Sequence, residues 1–197
     1  MIVLGLLVLV LGGMALLALF VEHEANYVLQ PLHTSSGPRA LILYHPSRDA
    51  HFADDLSVAI GQGLNAAGYS VDRATLTGMT PAQPLGYRLV VIVSNTYFWT
   101  PDIPTLRYLK RARLNHLWVI GVIAGAGSTT RSERLMQKAL IQSGASVLAM
   151  HAYWIAKPNE ESPATVSNRE VALQSARQLG MAAARGEISA RMPAQMP

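Results

Sequence analysis

Three stretches of this chain are almost unbroken runs of apolar residues: Ala40–Tyr44 (ALILY), Arg88–Val93 (RLVVIV) and His116–Ala124 (HLWVIGVIA). A strand on a half-buried sheet alternates apolar and polar residues, whereas one covered on both faces does not. Such runs therefore demand helices above and below a sheet, and the intervening sequence supplies them. Ala53, Leu56, Ala59, Ile60, Leu64 and Ala67 make a helical stripe closed by Gly68. Pro104 to Arg113 reads as a helix with proline in its first turn, Arg131–Ser143 as a helix closed by Gly144, and Ser167 with Glu170 as a capping box opening a helix to about Arg185. Tyr69–Leu76 and Ser146–Ile155 are strand-like. The alternation predicts an α/β doubly wound fold on a five-stranded parallel sheet over residues 39–188.

Composition agrees with a doubly covered sheet and excludes much else. Only 14% of the 197 residues are charged, against about 25% in an ordinary soluble domain. That is too little charge for a disordered chain or a Glu/Lys-rich coiled coil. The absence of cysteine excludes a disulfide scaffold, a cysteine nucleophile and a thiolate-bound metal. The six histidines show no metal-ligand spacing, and no G-x-S-x-G elbow is present. A net charge of +4 with no recognition motif argues against a nucleic-acid partner.

All 28 charged residues lie beyond Val21. Ile2–Val21 is a run of twenty, apolar except for Gly5, Gly12 and Gly13, and at about 1.5 Å per residue it would reach roughly 30 Å, one hydrocarbon thickness. It lacks the basic start and small-x-small end of a cleaved signal. The expectation is a single-pass transmembrane anchor over 1–21 in contact with the lipid bilayer. A tether over 22–38 and a flexible tail over 189–197 flank the domain, which is expected on the cytoplasmic side.

In a doubly wound sheet, ligands bind outside the carboxyl ends of the strands, so the strand-to-helix loops are the candidate site. The first, His45–Phe52, offers Ser47 and Arg48 as donors to an anion at a helix N-terminus. Its alternative is an ordinary loop with Ser and Asp capping the helix, and Asp49, Asp54 and Asp55 put three carboxylates beside any anion. The second is Ser94, Asn95, Thr96, Tyr97, Phe98 and Trp99. Three consecutive aromatics just past a buried strand cannot all point inward, and a planar ring system is their natural partner; the alternative is that they cover the end of the sheet. The third, Ala124, Gly125, Ala126 and Gly127, is small enough for backbone to approach a ligand closely, but is neither a Walker loop nor a dinucleotide fingerprint.

The order of elements, the segment SNTYFWTPDIPTLRYLKR and the Gly-rich loop resemble the flavodoxin-like family, which includes flavodoxins and NAD(P)H:FMN oxidoreductases. The resemblance implies a five-stranded sheet in the order 2-1-3-4-5 and FMN as cofactor. The 94–99 loop would lie along the isoalloxazine ring, with Tyr97, Phe98 or Trp99 stacked on it and Asn95 and Thr96 at its polar edge. The 124–129 loop would flank the pyrimidine side, and the 45–53 loop would take the phosphate. The sequence departs from the family at that last loop, where HPSRDAHFA replaces Thr/Ser-x-Thr-Gly-Asn-Thr, and at Asn95, which replaces the usual proline. The function implied is FMN binding and electron transfer at a membrane with a redox partner; if an enzyme, the chain would be an FMN-dependent oxidoreductase, and no catalytic acid or base is identifiable. The alternative is a flavin-free domain of the same fold serving as a structural or interaction module of a membrane complex.

Overall fold

A computed structural model describes residues 2–47, 51–159 and 165–188. Helix α1 (Ile2–Val21) is followed by strand β1 (Leu29–His33), then β2 (Arg39–Tyr44), α2 (Phe52–Ala66), β3 (Ser70–Thr75) and β4 (Leu89–Tyr97). Strand β5 (Thr100–Pro101), α3 (Ile103–Arg111), β6 (Trp118–Gly125), α4 (Thr130–Gln142), β7 (Ser146–Trp154) and α5 (Asn168–Arg185) complete the chain.

The apolar runs become the central strands. Strands β2, β4 and β6 are buried along nearly their whole length, while β7, at one edge, is mostly half-buried. Successive residues feed opposite cores. Ile42, Val91, Val93, Ile120 and Val122 pack with α2 and α5 on one face; Leu41, Leu43, Val90, Ile92, Val119 and Ile123 pack with α3 and α4 on the other. The predicted helix stops hold: Gly68 and Gly144 have φ of 95° and 85°, and Ser167 Oγ accepts from Glu170 N at 3.2 Å. Helices α2 and α5 cross where a Cβ on Gly63 would strike the Arg177 carbonyl and one on Gly180 the Ile60 carbonyl.

Three expectations are corrected. Among the described residues the sheet has seven strands rather than five, and is mixed: its order is β1-β3-β2-β4-β6-β7, with β5 paired to β4. The parallel strands are β3, β2, β4, β6 and β7; β1 lies antiparallel on β3, with Leu29 opposite Ala74 and Gln30 opposite Arg73. Secondly, 22–38 is not a free tether. It contains β1, and Asn26 and Val28 are tied to Thr75, whose Oγ1 donates to the Asn26 carbonyl (2.7 Å) and accepts from Val28 N (2.8 Å). Thirdly, the single-pass anchor is not supported. Ile2–Val21 is helical, but among the described residues no helix is long and apolar enough to cross a membrane. The tail expected over 189–197 lies outside the described residues.

Candidate functional site

The parallel strands diverge at β2 and β4. Strand β2 leads into α2 on one face of the sheet and β4 leads, through β5, into α3 on the other, so the crevice at their carboxyl ends is the topological switch where ligands bind such sheets. The loops singled out from the sequence meet there, but they are built very differently.

In the described part of the loop after β2, Ser47 is 4% exposed, and its amide and hydroxyl are both engaged. Its Oγ donates to Asn95 Oδ1 (2.6 Å) and accepts from Ala53 N (2.9 Å), and its backbone N–H donates to Asp54 Oδ2 (3.1 Å). A carboxylate of the same chain thus lies on the amide that an anion-binding loop would present to its ligand. Asp54 is held there by Arg73, whose guanidinium lies 3.3 Å from Oδ1, donates through Nε to Ser57 Oγ (2.7 Å) and stacks on Tyr44. Asp55 is paired with Arg169. Arg48, the other expected anion ligand, lies outside the described residues.

Below this loop lies a buried polar cluster. Asp102 is fully buried and caps α3: Oδ1 accepts from Thr105 N (2.8 Å), and Oδ2 accepts from Asn95 N (2.7 Å) and Ser94 Oγ (2.9 Å). The His45 ring, 1% exposed, sits with Nδ1 3.6 Å from Asp102 Oδ2, an ion-pair separation, and donates from Nε2 to the His23 carbonyl (3.2 Å). Burial works against a charged His45, but Asp102, the His23 carbonyl and Glu22 outweigh it and raise its pKa above the ordinary histidine value. Burial likewise opposes ionisation of Asp102, and His45 and Thr105 reverse this, so its carboxyl titrates below the usual range. Asn95 joins cluster and loop, since its Nδ2 donates to the His45 carbonyl at 2.9 Å. Ser94 and Asn95, both candidate cofactor contacts, are buried within this cluster.

The segment after β4 is open. Ser94–Tyr97 continue β4 rather than forming a loop, and Thr96 and Tyr97 pair with Pro101 and Thr100 of β5. Phe98 and Trp99 are the two central residues of the intervening turn, with φ of 50° and 60°. Positive φ at both positions defines the hairpin turn that ordinarily takes Asn-Gly. For residues with a Cβ this conformation costs roughly 1–2 kcal/mol each. Phe98 is 44% and Trp99 60% exposed. Two aromatic rings are thus held outward at the switch point by a turn their side chains disfavour, the kind of local strain that clusters at ligand sites.

The third loop is mostly framework. Ala124 is buried, and a Cβ on Gly125 would come within 2.7 Å of Thr129 Cγ2, so this glycine is explained by packing inside the loop. The Gly125 and Ala126 carbonyls accept from Ile155 N (3.0 Å) and Ala156 N (2.9 Å). Around Gly127 there is more room, with Lys157 Cβ the nearest atom at 3.6 Å from a built Cβ. Thr96 adjoins this loop and hydrogen-bonds to Ser132 at 3.0 Å.

A cavity of about 390 Å³ lies beside the first loop, lined by Phe20, His23, His45, Ser47, His51 and Asp54 among others. Among the described residues no lysine or arginine lines it. Sequence reasoning placed Asp54 beside the first loop but missed its bond to the Ser47 amide, and it missed Asp102 and His45 as organisers of the site. Asp102 was legible as a helix cap from its place just before Ile103-Pro104; the Asp54 bond and the role of His45 carry no local signal.

No protein-family model matches this chain, and no curated protein sequence does. Solved structures do. The chain is similar to a flavodoxin from the domain Archaea, at 12% identity and a TM-score of 0.55 over 75% of this chain and 97% of that one. It is similar to flavodoxin 1 from Bacillus cereus, at 10% identity and 0.55 over 76% and 97%. It also matches a rubredoxin oxygen:oxidoreductase from the anaerobe Desulfovibrio gigas, at 16% and 0.54 over 77% of this chain and 37% of that one. The fold is flavodoxin-like.

Proposed function

We propose that this chain is a flavodoxin-like electron-transfer protein that seats the ring system of a flavin against the Phe98–Trp99 turn, between the carboxyl ends of β2 and β4. The observation that carries this reading is the pair of outward-facing aromatics in consecutive positive-φ positions at the switch point. Exposed aromatic faces supply stacking area for a planar ring. The flavodoxin-like fold and the likeness to flavodoxins support it.

FMN, the cofactor implied by the resemblance, fits at its ring end. At its phosphate end the Ser47 donors, the described ones in that loop, already serve Asn95 and Asp54. A bound flavin would supply the redox chemistry, and this chain would supply position and access for a redox partner. His45 and Asp102 are engaged with each other and with backbone.

A second reading is favoured by the same closed loop. The fold would be kept without a flavin, as a structural or interaction module. Titration of the full chain with FMN, read by quenching of flavin fluorescence and by the visible bands, separates the two. Saturable quenching below about 100 μM, weakened about tenfold or more by Trp99→Ala, is expected of the first reading. No quenching by any flavin at that concentration would leave the flavin-free module.

A further inference from the structure

We infer that the outer face of α3 and α4 is a docking surface for an acidic protein segment, whose carboxylates meet Arg131, Arg134 and Lys138 while one of its apolar side chains seats on Ile141. The inference is independent of the flavin and holds for either reading of the switch point.

Helices α3 and α4 lie side by side on one face of the sheet and share a core through Tyr108, Leu109, Met136 and Leu140. Their outward residues recur at helical spacing: Arg107, Lys110 and Arg111 on α3, and Arg131, Arg134 and Lys138 on α4, all exposed. Glu133 is the one carboxylate within these two helices, and it accepts from Thr129 Oγ1 at 2.7 Å. Among the described residues none of these six cations has an ion-pair partner, whereas on the α2–α5 side Arg73 is paired with Asp54, Arg169 with Asp55 and Arg185 with Glu187. The α3 end is tempered in other ways. Glu22 accepts from Ile103 N at 2.6 Å and lies within reach of the Arg107 charge, and Arg111 donates to the Thr77 and Gly78 carbonyls, both at 3.0 Å. Arg131, Arg134 and Lys138 have no such relief among the described residues. Arg134 stands three residues from Arg131 and four from Lys138, spacings at which like charges repel, and Arg131 occupies the first turn of α4, where the helix dipole favours a carboxylate. The stripe destabilises the helix that carries it, and an acidic partner would reverse the sign of that effect.

The same stripe holds an apolar seat. A shallow cavity of about 330 Å³ runs along α4, lined by Arg134, Gln137, Lys138, Ile141 and Gln142. Ile141 is 60% exposed. A single exposed apolar side chain is ordinary, but this one lines a hollow together with two unpaired cations. A segment docked there would bury the isoleucine and give both cations carboxylates, the arrangement of an apolar centre within a charged rim. A nucleic-acid backbone offers the charge but no apolar group, and a headgroup layer keeps its apolar chains beneath its charges. An acidic protein segment offers both at one depth.

The probe is a labelled peptide of about 15 residues, rich in glutamate with a leucine at each helical turn, titrated against the full chain by fluorescence anisotropy. Binding with a Kd below about 100 μM at about 50 mM salt, weakened roughly tenfold at about 500 mM, is the expected result. Arg134→Glu with Lys138→Glu should weaken it by about tenfold or more, while Arg177→Glu, an exposed position of α5 on the opposite side, should leave it unchanged. Absence of binding at about 500 μM probe, or an equal loss from Arg177→Glu, would overturn the inference. The seat has a readout that needs no charge reversal. Replacing the probe's leucines by glutamine should weaken binding to the unmutated chain by about fivefold, and Ile141→Gln should erase the difference between the two probes. Equal binding of both probes to the unmutated chain would overturn the inference by reducing the face to bare charge. Vesicles of phosphatidylcholine with about 30% phosphatidylserine, and a DNA duplex of about 20 base pairs, are titrated in parallel. Tighter binding of either than of the probe, lost in the double variant, would give the face to that surface and overturn the inference.

Discussion

The two loops at the switch point lie on neighbouring strands and face the same crevice, yet they solve opposite problems. After β2, the Ser47 amide and hydroxyl are taken up by Asp54, Asn95 and Ala53 of the same chain. After β4, two large apolar side chains stay in water in a turn that suits neither. A loop saturated with internal hydrogen bonds is framework. A loop that keeps aromatic surface exposed at the expense of backbone strain has a use for that surface. The proposed flavin would lie on the β4 side of the crevice, and Asn95, which belongs to β4 but braces the β2 loop, marks the boundary between the two.

The largest expected effect comes from breaking the closed side at its base. Asp102 is fully buried and serves Thr105, Asn95, Ser94 and His45 together. Asp102→Asn removes the charge facing His45 and turns one acceptor into a donor aimed at donors. Removing one partner of a buried pair costs about 3–5 kcal/mol, so urea unfolding should show a loss of that order. A loss below about 1 kcal/mol would show that the cluster does not organise the loop.

Smaller and opposite in sign is the effect expected at the open side. Phe98→Asn with Trp99→Gly places in the turn the residues its geometry favours. Little packing is lost, since both rings are substantially exposed. Relief of two positive-φ positions should stabilise the chain by about 2 kcal/mol, read as a higher denaturation midpoint, while flavin quenching falls. A variant that is both less stable and equally able to quench flavin would remove the reason for assigning the turn a function.

How far the sequence foretold this contrast depends on the reach of the forces involved. The parallel strands and the helices that cover them were legible because burial on both faces writes itself locally as unbroken apolar runs, and because Gly68 and Gly144 stop helices where they stand. Strand β1 was not. Leu29–His33 carries a proline and no clear period, and it becomes a strand only because Ser70–Thr75 offers an unpaired edge far along the chain. Strand β5 is two residues long and depends on the turn that precedes it. In the site, three aromatics in a row announced an exposed surface, since no local geometry can bury them all. The closure of the first loop left no such trace. It depends on Ser47 meeting Asn95 and on Arg73 meeting Asp54, contacts across tens of residues that no spacing rule contains. Ile2–Val21 shows the limit from the other side: local apolarity predicted its helix, and the same property suggested an anchor that the described helix does not support.

The smallest effect is a pH dependence confined to the closed side, and its sign follows from the two shifts. The His45 pKa is raised on folding, so its contribution is fully present below the ordinary value of 6.5 and is lost as pH climbs through the higher folded value. The Asp102 pKa is lowered, so its contribution is present above the ordinary 3.8 and is lost only as pH falls through the lower folded value. Between those ordinary values both act together. Unfolding free energy should therefore decline on going from roughly pH 5.5 to pH 8, with part of the decline belonging to His45. The measurement is the difference between the chain and its His45→Gln variant across that interval. The variant keeps a polar side chain near the His23 carbonyl but has no proton to lose. Its slope should be shallower. Equal slopes would mean that His45 carries no extra proton in the folded state, and that the closed loop rests on Asp102 and the backbone alone.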